Sequence, residues 1–312
     1  MAVSGSKNFA VTRADIIEGA LAKIGEYDAG EAIPGDETKR AAASLNLMVK
    51  SWVARGIDIW LRDEITVFLA ADQQSYALGT DHATRTIQGE TTLSSAAAST
   101  VTSLTVTSSS GMTAADNVGV KLNDNTIHWT TIVSVDSATA ITITTGLASA
   151  AASGKKVYAY TTKAGRPQKI VYAYRRDKND IDNEVSIIGE SEYMRQSNKG
   201  SSGPPVEIWY QPTLTTGTLF VWPVDGGANW DKLMLSVQYL PDDFDAASDN
   251  PEFPIEWGDV LVYGLADQLA PEYGLPLRER AFLKQEAEFK LEEALAYDTE
   301  NASVIFAMDY EQ

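Results

Sequence analysis

Residues 254–276 read PIEWGDVLVYGLADQLAPEYGLP, and one apolar pattern runs through them until a proline stops it. Ile255, Trp257, Val260, Leu261, Leu265 and Leu269 recur at helical spacing, the mark of an amphipathic helix that follows Pro254. Pro271 has no N–H to donate, and its ring clashes with the carbonyl four residues back, so the helix kinks or ends near Ala270. Gly274 then accepts a left-handed turn. Pro276 suits the first turn of a new helix, where the missing N–H is not needed. The stretch predicts two helices at a fixed angle, with Trp257, Pro271, Tyr273, Gly274 and Pro276 as the structural residues of the joint. The second helix runs to about residue 296, with Phe282, Phe289 and several alanines on its apolar side and mixed charge opposite.

Helical patterning also fills residues 9–60. Thr12 is placed to cap a first helix, with Asp15 three residues on completing a capping box. Ile16, Ile17, Ala20, Leu21 and Ile24 form its stripe, and Gly25 suits the left-handed residue after its end. Asp36 is read as the cap of a second helix, whose stripe is Leu45, Met48, Val49, Trp52 and Val53 and which stops at Gly56. The two helices make a hairpin.

Between these ends the period changes from 3.6 to 2. ITVFLA and SYALG flank a turn, and SLTVTS, VGVKL, IHWTTIVSV, AITITT and KKVYAY follow at regular spacing between Gly, Asn, Asp and Ser clusters. In IHWTTIVSV, Ile127, Trp129, Thr131, Val133 and Val135 share one face. Residues 88–163 are rich in Ser, Thr and Ala and poor in charge, the profile of a small inserted sandwich or barrel. KIVYAYRR, EVSIIG, VEIWYQ, TLFVWPV and KLMLSVQYL are longer and more aromatic, and SNKGSSGPP (197–205) is a loop between them. The expected fold is α+β. A helical bundle forms from the N-terminal hairpin (9–60) and the C-terminal helices (254–296). A central antiparallel β domain takes 61–87 and 164–245, the inserted β domain takes 88–163, and 297–312 is an extended tail.

The 312 residues carry a net charge of −18, which argues against a surface that grips nucleic-acid phosphates. Zero Cys excludes disulfides, thiolate metal sites and Cys nucleophiles. No apolar run approaches the roughly 18 residues that span a bilayer, and MAVSGSKNFA has no apolar core of a signal peptide.

Candidate chemistry is thin. His82 sits in a loop and His128 is expected to face solvent; neither has ligand spacing to other donors. DKNDIDNE (177–184) fails the calcium-loop pattern, since Ile181 falls where an oxygen donor is needed and no Gly follows it. It reads as a polar turn, as does PDDFD (241–245). There is no G-x-S-x-G, P-loop or G-x-G-x-x-G. The expectation is no enzyme, with no catalytic, cofactor-binding or metal site.

Taken together, TRADIIEGALAKIGEYDAGE, LNLMVKSWVARGIDIW, ITVFLAADQQSYALG and PEFPIEWGDVLVYGLADQLAPEYGLP resemble segments of the head-to-tail adaptor proteins of short-tailed bacteriophages. These are also called tail accessory, head-completion or packaged-DNA stabilisation proteins. The resemblance covers roughly residues 9–80 and 165–296, and its most specific parts are Trp52 with Gly56 and the joint from Ala270 to Gly274. Residues 88–163 lie outside the simplest family pattern.

The resemblance implies a ring of about twelve copies, closed by heterologous interfaces. It implies partners: the portal protein, the tail nozzle and a fibre or spike, with DNA passing through the channel without specific binding. It implies location at the portal–tail junction of a virion made in a bacterial cytoplasm, with no membrane contact. An acidic wall suits sliding DNA. The tail, with its apolar centre VIFAM, suits a segment that orders on binding, and Val304, Ile305, Phe306 and Met308 are the expected portal anchors. A competing expectation is a tail-fibre-associated or carbohydrate-binding β protein using Trp129, Trp209, Trp222 and Trp230 as platforms.

Overall fold

The computed structural model of the chain describes residues 10–27, 31–56, 62–226 and 230–297. In chain order, helices α1 (Arg13–Ile24) and α2 (Gly35–Ala54) come first. Strands β1 (Arg62–Phe68), β2 (Ser75–Leu78), β3 (Ala83–Thr84), β4 (Gly89–Thr92) and β5 (Ser103–Thr105) follow. Next are β6 (Asn117–Lys121), β7 (Ile127–Ser137), β8 (Ala140–Ile143), β9 (Lys156–Tyr160), β10 (Lys169–Asp177), β11 (Asp182–Glu184) and β12 (Ser186–Ile187). A short helix α3 (Glu190–Arg195) precedes β13 (Glu207–Pro212), β14 (Gly217–Trp222) and β15 (Trp230–Gln238). The chain then turns helical again in α4 (Gly258–Leu269) and α5 (Leu277–Tyr297). It divides into two units, residues 1–61 with 240–312 and residues 62–239. The first is helical and the second almost wholly β, so the fold is α+β.

In the helical unit α4 meets α1, α2 and α5. Val260, Leu261, Leu265, Ala266 and Leu269 of α4 are buried against Ile17 and Leu21 of α1 and Leu45 and Met48 of α2. Small residues set the approach. A Cβ on Gly264 would lie 2.8 Å from Met48 Sδ and 3.0 Å from Trp52 Cζ2. Thr12 and Asp15 form a reciprocal capping box on α1, with Thr12 N donating to the Asp15 carboxylate at 2.8 Å. Gly25 closes α1 at φ 82°. Asp36 is not the cap of α2. The helix starts one residue earlier, at Gly35, and Thr38 N donates to Pro34 O, which puts Asp36 inside the first turn.

PDDFD is no free polar turn. Lys50 pairs with Asp243 at 2.9 Å, the Arg13 guanidinium donates to the carbonyls of Phe244 and Asp245, and Phe244 is buried. The segment straps α1 to α2. The polar letters hid this because the groups that hold the strap are mostly its backbone carbonyls.

Among the described residues the β unit holds three sheets. A five-stranded sheet, β11-β10-β15-β1-β3, and a four-stranded sheet, β12-β13-β14-β2, share one core. Ile65, Val67, Leu235 and Val237 come from the first and Leu78, Ile208, Leu219 and Val221 from the second. Among the named strands pairing is antiparallel except for β12 with β13, which run parallel. The third sheet, β4-β9-β6-β7-β8-β5, curls until its end strands meet. Leu93 bridges Val106, Ser94 N donates to Thr105 O, and Thr107 N donates to Thr92 O, which makes it barrel-like. Its interior is aliphatic: Leu104, Val118, Val120, Ile132, Ile141, Ile143 and Val157.

β7 corrects the sequence reading of its faces. Ile132 enters the barrel core, while Val133 and Val135 are exposed. Register shifts against β8 at Ile132–Ser134 and Val135–Ser137 bend the strand. The outer face of β9 and β7 joins a separate aromatic cluster, in which Tyr158, Tyr160 and Trp129 pack on Phe68 of β1. Phe68 stands on the face of β1 opposite Ile65 and Val67, so β1 serves two cores at once.

Gly119 of β6 is paired with Trp129. A Cβ there would meet the indole at 2.6 Å, so the ring lies directly over the glycine. Replacing Gly119 by Ala should therefore lift Trp129 off the strand and cost about 1–3 kcal/mol by overpacking. Denaturant unfolding followed by Trp fluorescence would show it. A wild-type midpoint and emission maximum would mean that the contact carries no weight.

Candidate functional site

Of the five residues read as the joint, Pro271, Tyr273 and Gly274 form the turn after α4, Pro276 stands just before α5, and Trp257 lies at the opposite end of α4. α4 ends at Leu269 and residues 270–273 form a turn. Gly274 takes φ +68°, and Leu275 N reaches back to Ala270 O at 3.3 Å, closing the end as a left-handed cap. The chain therefore stops the helix at the proline and does not merely bend it. Trp257 is 2% exposed, in a one-turn 3-10 segment, and packs on Trp52 and Phe253. Ile255 is not on that buried face: it is 48% exposed, because the 3-10 turn breaks the helical phase. Pro276 sits just before α5, not in its first turn, and its carbonyl accepts from Glu279 N and Arg280 N.

A residue that the sequence reading missed fixes the joint. Glu37, in the first turn of α2, accepts from Tyr27 Oη at 2.7 Å and from Tyr273 Oη at 3.1 Å on the same carboxylate oxygen. The hydrogen bond to Glu37 pushes Tyr27 up to about 12. Tyr273 also reaches about 12, through burial first and Glu37 second. Both phenols stay neutral donors through any ordinary pH. No spacing rule links residues 27, 37 and 273, so only the tertiary fold reveals the clamp.

α5 departs further from expectation. Phe282 and Phe289 are 60% and 58% exposed, while Leu283 and Ala294 carry the buried side. The two phenylalanines are seven residues apart and share one face. Phe282 helps line a hollow of about 630 Å³, together with Lys23, Ile24, Tyr263, Leu275, Arg278 and Leu283. Val304, Ile305, Phe306 and Met308 lie outside the described residues.

The other candidates resolve into structure. His82 stacks on Trp129 with ring centroids 4.0 Å apart, and its Nδ1 meets Tyr160 Oη at 2.7 Å. Burial, with help from Lys163, holds its pKa down to about 4. His128 is half-buried, not solvent-facing, with Nε2 3.3 Å from Thr145 O. DKNDIDNE is a tight turn. Asp177 accepts from Asn179 N and Ile181 N, Asp180 takes φ 60°, and Arg176 grips Asp182 with two hydrogen bonds. Among the described residues no group of three or more acidic or His side chains is placed to hold a metal.

The aromatic platforms are mostly occupied. Trp209 is buried and stacked on Phe220 beside Tyr193. Trp129 is covered by His82. Trp222 is half-buried and donates Nε1 to Asn198 O. The Trp230 side chain lies outside the described residues.

A charged knot ties the barrel to β15. Glu90 of β4 pairs with Lys156 at 2.9 Å and with the buried Lys232 at 2.8 Å. Burial pushes the Glu90 pKa up, but the two lysines outweigh it, and the net position is below the ordinary 4.5.

No protein-family model matches the chain, and no curated protein matches it. Among solved structures, VP17, a capsid protein of bacteriophage P23-77, aligns with 60% of this chain and 77% of its own at 11% identity. The TM-score is 0.12, a level at which no shared fold is inferred.

Two predictions test these arrangements. A Cβ on Gly274 meets nothing within 4 Å, so a substitution there acts through the backbone alone. Gly274→Val should cost about 1–2 kcal/mol, and Gly274→Asn much less, because Asn tolerates the left-handed region. Equal melting temperatures for the two variants would mean that φ strain is not the cause.

The second concerns acid. In the unfolded chain His82 gains a proton near its ordinary 6.5, whereas in the fold it resists until about 4. The unfolded state thus binds more protons between those values, and stability falls as pH drops through them. Glu90 adds to the loss as pH falls through its depressed value. His82→Gln should flatten the decline in melting temperature between pH 6.5 and 4, and an unchanged slope would remove His82 as its source.

Proposed function

We propose that this chain is a structural protein of a bacteriophage virion, and within it a head-to-tail adaptor that forms a ring below the portal. One observation carries the reading. Helices from both ends of the chain make one bundle, and within it α5 leaves Phe282 and Phe289 in water beside a joint clamped by Glu37. A rigid bundle with an uncovered aromatic stripe suits a heterologous interface, in which one face of each copy meets a different face of the next. The resemblance of residues 9–80 and 165–296 to the adaptor family supports the same reading.

On this proposal the ring, of about twelve copies by family analogy, extends the DNA channel and helps retain the packaged genome. It docks the nozzle and a fibre or spike, and the net charge of −18 disfavours adhesion to passing DNA. The segment at Val304–Met308 is the portal anchor. The barrel-like module of residues 88–163 is a second contact surface, for a fibre or a neighbouring copy.

The test is co-assembly. Full-length protein mixed with portal rings should migrate with them in sizing chromatography with light scattering. Removing residues 298–312 should lower the bound fraction, and Phe282→Ser with Phe289→Ser should lower the number of copies per ring. A chain that ignores portals but is retained on host polysaccharide would overturn the proposal in favour of a glycan-binding protein.

A further inference from the structure

The groove beside Phe282 is an unusual place on this molecule. Its walls are apolar: Ile24 at the end of α1, Tyr263 of α4, Leu275 in the joint, and Phe282 and Leu283 of α5. Its rim carries Lys23 and Arg278 against the single acid Glu279, on a chain with 18 more negative than positive charges. Lys23 lies over the Tyr263 ring at 4.8 Å, so one cation already sits at the apolar wall. The surface calls for a ligand that is apolar in the middle and acidic at its end.

The chain carries such a ligand. Residues 298–312 read DTENASVIFAMDYEQ. They hold four acids, Asp298, Glu300, Asp309 and Glu311, no Lys or Arg, and one apolar run, Val304 to Met308. We infer that this run folds back along α5 of its own chain and seats on Phe289, Phe282 and the groove, with Asp309 delivered to Arg278 and Lys23.

The reach permits it. From Tyr297 back to Phe289 is eight residues of helix and back to Phe282 fifteen, about 12 and 22 Å at 1.5 Å per residue. From residue 298 to Val304 an extended chain covers about 23–25 Å. Val304 therefore sits level with Phe289 with chain to spare for the turn, and the roughly 17 Å that an extended chain covers from Val304 to Asp309 matches the roughly 17 Å of helix from Phe289 back to Arg278. The direction also fits. A segment running antiparallel to α5 carries Asp309 toward the helix N-terminus, where the macrodipole favours an acid and where Arg278 stands. Both covered phenylalanines would otherwise remain in water.

The inference needs only this chain and no portal. It has a consequence for the proposed function, because the same residues then have a partner within the monomer. Any outside partner must compete for them, which keeps the segment sheltered until that partner arrives.

The absence of Cys makes the test direct. A nitroxide is attached to Tyr310→Cys in the full-length protein, and methyl signals of Ile24, Leu275 and Leu283 are recorded with the label oxidised and reduced. Back-folding predicts that these methyls lose most of their intensity. Ile305→Asp in the labelled chain should restore the signals. Phe282→Ser, at an exposed position, should do the same while leaving the Leu283 shift close to native. The inference falls if the three methyls are unaffected. It also falls if the loss appears only when spin-labelled chains are mixed with isotope-labelled ones, since the occupant is then a second copy. A failed portal-binding assay leaves this measurement untouched, so the two readings stand or fall separately.

Discussion

The helical unit depends on how closely α4 approaches its neighbours. Leu261, Leu265 and Ala266 are fully buried, and Gly264 gives Met48 and Trp52 room to lie on the helix backbone. Gly19 does the same for Val262 across the α1–α4 contact, where a Cβ would stand at 3.3 Å. α4 ends at Leu269. Pro271 and Gly274 supply that end, and Glu37 ties the turn to α2 through Tyr273. The joint is thus held by local backbone chemistry and by a tertiary hydrogen bond together.

The β unit solves a different problem with a different device. β1 has two apolar faces and one strand's worth of backbone. Ile65 and Val67 serve the sandwich, and Phe68 serves the aromatic cluster on the barrel. Glu90 and Lys232 add a buried ionic tie between β4 and β15. Breaking such a tie from one side strands a charge in a dry place, so it specifies how the two modules sit more than it strengthens them.

Much of the fold was legible in the sequence, and the reason is periodicity. The capping box at Thr12, the stripe of α1, the stop at Pro271 and the long strands all follow from local chemistry. Local chemistry failed where the tertiary fold decided. Phe282 and Phe289 read as core by residue type, yet α5 turns Leu283 and Ala294 inward instead. Val133 and Val135 read as sharing one face with Trp129, yet β7 carries two register shifts there, both valines are exposed, and Ile132 is the residue inside. The strap at PDDFD and the Glu37 clamp were invisible because each joins residues far apart in sequence through groups with no preferred spacing. His82 does lie in a loop, as read, but the indole it stacks on is far away in sequence and only the tertiary fold brings it near.

The seam of the barrel-like sheet has a further bearing. β4 and β5 would each be an edge, a row of unpaired N–H and C=O groups open to any passing strand. The Leu93–Val106 bridge and its flanking hydrogen bonds consume those groups within the module. Such a module can be crowded against copies of itself at very high local concentration without templating a shared sheet. Another molecule set against that seam would meet side chains rather than a free strand edge.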